Sequence, residues 1–223
     1  MGAAPSLDEL ASRARGGAKA KATDFEVPEQ WRLEHVVALR GEFARGNYDF
    51  GVDQPTFDFF LAEALPAARG AARELWRRFD TTASGLVNLL EVMSGLAVMC
   101  MGSVEAKISL VFELNDFNGQ GSLSYDELVL LLYLVGCSTV LASNKGVLPE
   151  EHAMEALADE AFVASNIDLA TRIHRADLEA WLLEFLGITE ETPSVGLREF
   201  LKRMQSLKPA KTAGLTAGQA ALA

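Results

Sequence analysis

The strongest constraint on this chain is a twelve-residue stretch, Asp116 to Glu127, that reads D-F-N-G-Q-G-S-L-S-Y-D-E. Oxygen-bearing residues stand at its positions 1, 3, 5, 7, 9 and 12: Asp116, Asn118, Gln120, Ser122, Ser124 and Glu127. This is the spacing with which a short loop wraps six to eight oxygens around calcium, a hard cation. Asp116, Asn118 and Gln120 would supply side-chain oxygens and Ser122 its backbone carbonyl. Ser124 would act directly or through a water, and Glu127 would close the sphere with both carboxylate oxygens. Gly121 permits the positive φ of the sharp turn. A polar turn between helices would need neither Leu123 nor the apolar run Leu128-Val129-Leu130-Leu131-Leu132 behind Glu127. Gln120 departs from the pattern, being longer than the usual Asp or Asn.

The same register recurs three times. Residues 80–91 read D-T-T-A-S-G-L-V-N-L-L-E, with Asp80, Thr82, Ser84, the Leu86 carbonyl, Asn88 and Glu91 at ligand positions and Val87 at the apolar position 8. Thr82 and Ser84 are weak neutral donors, so metal binding and a merely shape-keeping loop weigh equally here. Residues 45–56 keep Val52 at position 8, but Arg45, Phe50 and Thr56 stand where a ligand, the turning glycine and the closing carboxylate belong. A cation in the first ligand slot repels calcium, so this loop is expected to serve packing alone. Residues 166–177 keep Asn166, Asp168, Ile173 and Asp177, but Ala170 offers no ligand and Thr171 replaces the glycine. Asp177 is too short for easy bidentate closure, and His174 reads as an exposed loop residue.

Helices are expected on either side of each loop. One opens at Pro28-Glu29 and carries Trp31, Val36, Leu39 and Phe43; another carries Leu75, Trp76 and Phe79. Gly102 breaks the helix leaving residue 91, and Ser103 caps the next. The helix from Tyr125 to about Val135 is apolar nearly all round, so either the domain or a partner must cover it. Residues 137–149 read as an insertion, ended by Pro149 at a new helix start, and Gly187 stops the last strongly patterned helix.

The net charge of −11 is concentrated in the body, while both ends are basic. An acidic body argues against nucleic acid and for cations or basic partner segments. Two cysteines, Cys100 and Cys137, suit a reducing compartment rather than a disulfide framework. No run reaches the roughly 18 apolar residues of a membrane span, and no secretory apolar region follows Met1. The start M-G-A-A-P-S matches a myristoylation pattern at Gly2, so a membrane is a partner only if Gly2 is acylated. Arg13, Arg15, Lys19 and Lys21 would then supply the second, electrostatic signal.

The four loops, starting at 45, 80, 116 and 166, together resemble the EF-hand superfamily over residues 29 to about 186. Within it the chain is most similar to the recoverin, calcineurin B and calaxin branch. That likeness rests on Glu91 followed by Gly95-Leu96, then Gly102-Ser103, Glu105 and Lys107 leading to Phe112, on a ligand-poor first hand and on Gly2. The resemblance implies an all-α fold of two lobes, each with two hands joined by a short antiparallel strand pair. The pairs would be Gly51–Asp53 with Leu86–Asn88, and Ser122–Ser124 with Arg172–His174. Residues 1–27 would form a flexible basic arm, 28–101 the N-terminal lobe, 102–190 the C-terminal lobe, and 191–223 a C-terminal helix and tail. The resemblance also implies Ca2+ as the bound ion, binding without catalysis and, through calaxin, a ciliary or flagellar setting.

Two functions compete. One is a calcium-binding regulatory or adaptor protein that docks on a protein partner. The other is a constitutive structural subunit of a larger, for example axonemal, complex. An enzyme is not expected: His35, His152 and His174 are isolated, and neither a zinc-protease nor a phosphate-loop motif is present.

Overall fold

The structure is a computed structural model that describes residues 31–46, 51–64, 71–143 and 147–188. Gly2, the basic arm, the Pro28-Glu29 helix start and the segment 191–223 lie outside the described residues. Within them the chain is mostly helical, with eight helices and two small antiparallel strand pairs. In order these are α1 (Leu33–Gly46), β1 (Gly51–Val52), α2 (Gln54–Ala64), α3 (Ala72–Phe79), β2 (Val87–Asn88) and α4 (Leu89–Met99). There follow α5 (Val104–Asn115), β3 (Ser122–Ser124), α6 (Tyr125–Ser143), α7 (Glu151–Ala164), β4 (Arg172–His174) and α8 (Arg175–Leu186).

Both strand pairs form in the expected register. Val52 lies opposite Val87, and Leu123 opposite Ile173. These four position-8 residues are all buried, so each pair of loops is pinned by two apolar side chains meeting across one short ladder. Local signals set most helix ends. The Ser103 hydroxyl accepts the Ala106 N–H at 3.2 Å, and the Asn88 side chain accepts the Leu90 and Glu91 N–H groups at 2.9 and 3.3 Å. Gly187, at φ 64, ends α8 in the left-handed region.

Three expectations change. First, Trp31 and Arg32 are not part of α1, which begins at Leu33, because these two residues are held extended against the segment after α4. Met101 N–H donates to the Trp31 carbonyl at 2.8 Å, and Leu33 N–H to the Met101 carbonyl at 3.0 Å. Second, α6 does not stop near Val135 but runs through the supposed insertion to Ser143. The hydroxyls of Ser138 and Ser143 bond back to the carbonyls of Val135 and Val140, at 3.1 and 3.4 Å. These buried hydroxyls are bonded within the helix, and packing overrides their weak helix propensity. At its end the Arg78 guanidinium, itself buried, donates to the Ala142 carbonyl at 2.7 Å, closing one of the helix's last acceptors. Third, α6 is therefore long and apolar enough to cross a membrane, with a mean hydropathy of 1.6, although no uninterrupted apolar run of that length exists. It is a core helix: every residue from Leu131 to Val140 is buried.

The cover over α6 comes from both halves of the chain. Its main neighbour is α4, and α3 and α7 also lie against it. One apolar cluster runs from Trp31 through Phe112 to Leu186. At the α4–α6 crossing a Cβ on Gly95 would stand 2.6 Å from the Ser138 carbonyl oxygen. Only glycine allows two helix backbones this close. Lys107 secures the same region by donating to the Val98 carbonyl at 3.0 Å. Farther out, Glu113 of α5 bridges Arg40 of α1 at 2.7 Å and Arg175 of α8 at 3.7 Å. Neither cysteine is in a disulfide and both are buried, and burial pushes the Cys100 thiol up to about 12. Protonated and enclosed, Cys100 is not poised for thiolate chemistry.

Gly95→Ala tests the crossing. Overpacking typically costs ~1–3 kcal/mol, opposed by a helix-propensity gain of ~1 kcal/mol for alanine. The backbone oxygen in the way cannot rotate aside, so a net destabilisation of roughly 1 kcal/mol is expected, and more for valine. Urea unfolding with an unchanged m-value measures it; a neutral or stabilised alanine variant would contradict the close approach.

Candidate metal-binding loops

Loop 116–127 begins where α5 ends. Asp116 leaves the helix at φ −80 and ψ 72, and its carboxylate reaches forward along the loop. Oδ1 accepts the Gln120 N–H at 3.1 Å and Oδ2 the Gly121 N–H at 2.8 Å. Asn118 Oδ1 accepts the same Gln120 N–H at 3.0 Å. The side-chain oxygens of positions 1 and 3 thus converge on one amide. Gly119 and Gly121 hold the turn with φ of 66 and 69. Ser124 and Glu127 form a reciprocal cap at the start of α6: Glu127 Oε2 accepts the Ser124 N–H at 2.8 Å, and Ser124 Oγ accepts the Glu127 N–H at 3.3 Å.

Loop 80–91 follows the same path. Asp80 Oδ1 accepts the Ser84 N–H at 2.9 Å and Oδ2 the Gly85 N–H at 3.2 Å. Ala83 and Gly85, again at positions 4 and 6, have φ of 51 and 74. Ala83 pays a steric penalty for that conformation, which glycine avoids. The Ser84 hydroxyl is engaged inside the loop, lying 3.3 Å from Asp80 Oδ1 and 3.2 Å from the Leu86 carbonyl. Thr82, Ser84 and Leu86 are exposed, whereas Glu91 is buried at the start of α4.

The other two loops take different paths. In loop 166–177 neither position 4 nor position 6 is left-handed; the positive φ, 55, falls on Asn166 at position 1. Asn166 ends α7 instead of opening a loop of the other kind. Its N–H donates to the Val163 carbonyl at 3.0 Å, and the Ile167 N–H to the Phe162 carbonyl at 2.9 Å, a Schellman closure. Asp168 is occupied locally, its Oδ1 accepting the Ala170 N–H at 2.8 Å. In loop 45–56, residues 47–50 lie outside the described residues. Arg45 pairs with Glu42, and Asp53 has become the cap of α2, accepting the Thr56 N–H at 3.0 Å. Hydrogen bonds from Thr56 hold the Asp53 carboxyl below the usual carboxylate range.

Hard oxygen donors and a shared backbone path make loops 116–127 and 80–91 the places where a calcium ion fits. Among the described residues, no group of three or more His, Cys, Asp or Glu gathers as a metal cluster. Within the ligand positions of these two loops, carboxylates stand only at 1 and 12, and the rest are neutral oxygens. One contact escaped the reading of the sequence. Arg172, opposite Ser124 in the β3–β4 ladder, places Nη2 2.7 Å from the Ser122 carbonyl and 2.5 Å from Glu127 Oε2. Its signal was the register, which sets position 7 of one loop beside position 9 of the other. The histidines do not gather: His35 Nδ1 accepts the Arg32 N–H at 3.1 Å, His152 lies beside Glu150, and His174 ends β4.

Comparison with known proteins gives short but consistent matches. The chain is 40% identical over 58 residues to calaxin of Homo sapiens, covering 26% of this chain and 28% of that protein. It is 32% identical over 105 residues to calcium-binding protein J of Dictyostelium discoideum, covering 46% of this chain and 54% of that protein. Calaxin of Xenopus laevis matches at 30% over 108 residues, 48% of this chain and 51% of that protein. The chain thus spans about half or less of the length of these curated relatives. No family model matches it.

Ala83→Gly tests the backbone strain. Relieving a left-handed alanine is worth ~1–2 kcal/mol, less the extra unfolded-state entropy of glycine, ~0.4–1 kcal/mol. A net stabilisation of about 0.5–1 kcal/mol is expected, read as a higher thermal midpoint in chelator. A lower midpoint would show that Ala83 is not held at positive φ.

Proposed function

We propose that the chain is a calcium-binding EF-hand protein of the recoverin, calcineurin B and calaxin branch, acting as a regulatory or adaptor protein without catalysis. The observation that carries this reading is the backbone path shared by loops 80–91 and 116–127. Both begin with an Asp whose two oxygens grip the loop amides, both turn left-handed at positions 4 and 6, and both end in a Glu at the start of a helix. The similarity to calaxin and to a protein named for calcium binding supports it. In loop 116–127, Asp116, Asn118, Gln120, the Ser122 carbonyl and Glu127 would hold the ion. In loop 80–91 these would be Asp80, Thr82, Ser84, the Leu86 carbonyl and Glu91. Calcium, when bound, would supply fixed positive charge to these oxygens, and Glu91 and Glu127 would link it to the first turns of α4 and α6.

The acidic body favours a protein partner with a basic or amphipathic segment, in a cytoplasmic setting. Likeness to calaxin extends the proposal to a ciliary or flagellar assembly. The apolar face of α6 no longer argues for a partner, since α4, α3 and α7 cover it. That same cover favours the second reading, a constitutive structural subunit, because a helix buried between both halves leaves less surface to expose on a switch. Trp31, Trp76 and Trp181 are all buried in the core that a switch would rearrange, so their fluorescence separates the two. A large change at micromolar calcium supports the sensor, and a flat trace supports the scaffold.

Calorimetry ranks the loops. Ligand charge of about −2 in each loop places affinity on the order of 10⁻⁶ to 10⁻⁴ M. Glu127→Gln should abolish the tightest binding step, and Glu91→Gln should matter less, because Thr82 and Ser84 are poorer donors. Loops 45–56 and 166–177 should stay empty. If Glu91→Gln removes the tightest step while Glu127→Gln leaves it intact, the ranking is reversed.

A further inference from the structure

Ser122 and Glu127 hold a cation of the protein's own. Arg172 Nη2 donates to the Ser122 carbonyl at 2.7 Å and to Glu127 Oε2 at 2.5 Å, and its Nε donates to Ser122 Oγ at 3.1 Å. These acceptors include the position-7 carbonyl and the position-12 carboxylate of loop 116–127, two of the groups calcium ligation would use. The contacts are partly enclosed, with the Arg172 and Glu127 side chains 34% and 29% exposed. Charge-assisted bonds in such a setting are stronger than neutral ones.

The ladder explains how Arg172 comes to be there. It stands opposite Ser124 and belongs to the ligand-poor loop 166–177, at that loop's own position 7. In the other half of the molecule the corresponding residue, opposite Asn88, is Gly51, which has no side chain. Loop 116–127 therefore faces a guanidinium where loop 80–91 faces a bare backbone.

We propose that Arg172 is an affinity-determining residue of loop 116–127, an internal competitor that must leave Ser122 and Glu127 before those oxygens can serve a divalent cation. Loop 166–177 then has a task despite its poor ligands: it regulates its neighbour through one side chain. In the metal-free protein Arg172 offsets the charge of Glu127 and ties β3 to α6. When the cation site fills, the guanidinium turns toward solvent. This inference rests on the reading of loop 116–127 as a calcium site.

Arg172→Met keeps an apolar stem and removes the charge and the donors. Calorimetry with calcium chloride on full-length protein should show the loop 116–127 step tightening about tenfold. Thermal unfolding in chelator should show the midpoint falling. A residue that merely braces the strand pair would move both quantities toward weakness, so opposite signs are the signature. An unchanged or weaker step in Arg172→Met, with binding still abolished in Glu127→Gln, overturns the role of Arg172 and leaves the site intact. An intact tightest step in Glu127→Gln overturns the site reading itself. Should Arg172→Met not fold, the wild type suffices. The Arg172 Nε–Hε resonance should shift in proportion to occupancy of this loop as calcium is added, and a resonance that stays fixed through saturation overturns the proposal.

Discussion

The close crossing of α4 and α6 is the contact on which the rest of this structure depends. Gly95 lets the backbone of α4 lie directly on the Ser138 carbonyl of α6, and nothing larger fits. From that contact follow the burial of the most apolar helix in the chain and the joining of both halves in one apolar cluster. Dense packing of this kind transmits shifts instead of absorbing them. α4 starts at Leu89 and α6 at Tyr125, so the last residue of each loop, Glu91 or Glu127, lies in the first turn of its helix. A movement of Glu91 or Glu127 therefore acts directly on helices that are locked together.

In the proposed calcium loops, the polar groups that would bind the ion also hold the local structure. Glu127 caps α6, pairs with Arg172 and stands at the closing ligand position. Asp80 and Asp116 both stitch their own loop amides and stand at the first. Asp80, Asp116 and Glu127 thus all accept hydrogen bonds from backbone amides. In the two ligand-poor loops only the local role is present: Asp53 is a helix cap, and Asn166 a helix terminator. In the described residues, the ligand-poor loops use their polar groups for capping and, at Arg172, for a contact with a neighbour's carboxylate.

Much of this was legible in the residues because its causes are local. Loop spacing, the position-8 apolar residues, the Ser103 cap and the Gly187 stop each act within a few residues, and the structure has them where the pattern puts them. The failures share one cause. Ser138, Thr139 and Ser143 read as loop formers, yet α6 continues through them because α4 and α3 cover it and Arg78 closes its end. Trp31 and Arg32 read as helix, yet they are held extended by Met101.

Which pairs of strands would meet was implied by the resemblance to a known family. The sequence by itself determined the number of loops, their register and the residues that can present oxygen to a hard cation. Those follow from spacing along the chain and from the chemistry of single side chains. Tertiary structure alone decided what covers α6, where α1 begins, and that a guanidinium from the fourth loop rests on the oxygens of the third. These depend on groups distant in sequence, 50 residues apart for Arg172 and Ser122. No local preference encodes which two of them will share a surface once the core has closed.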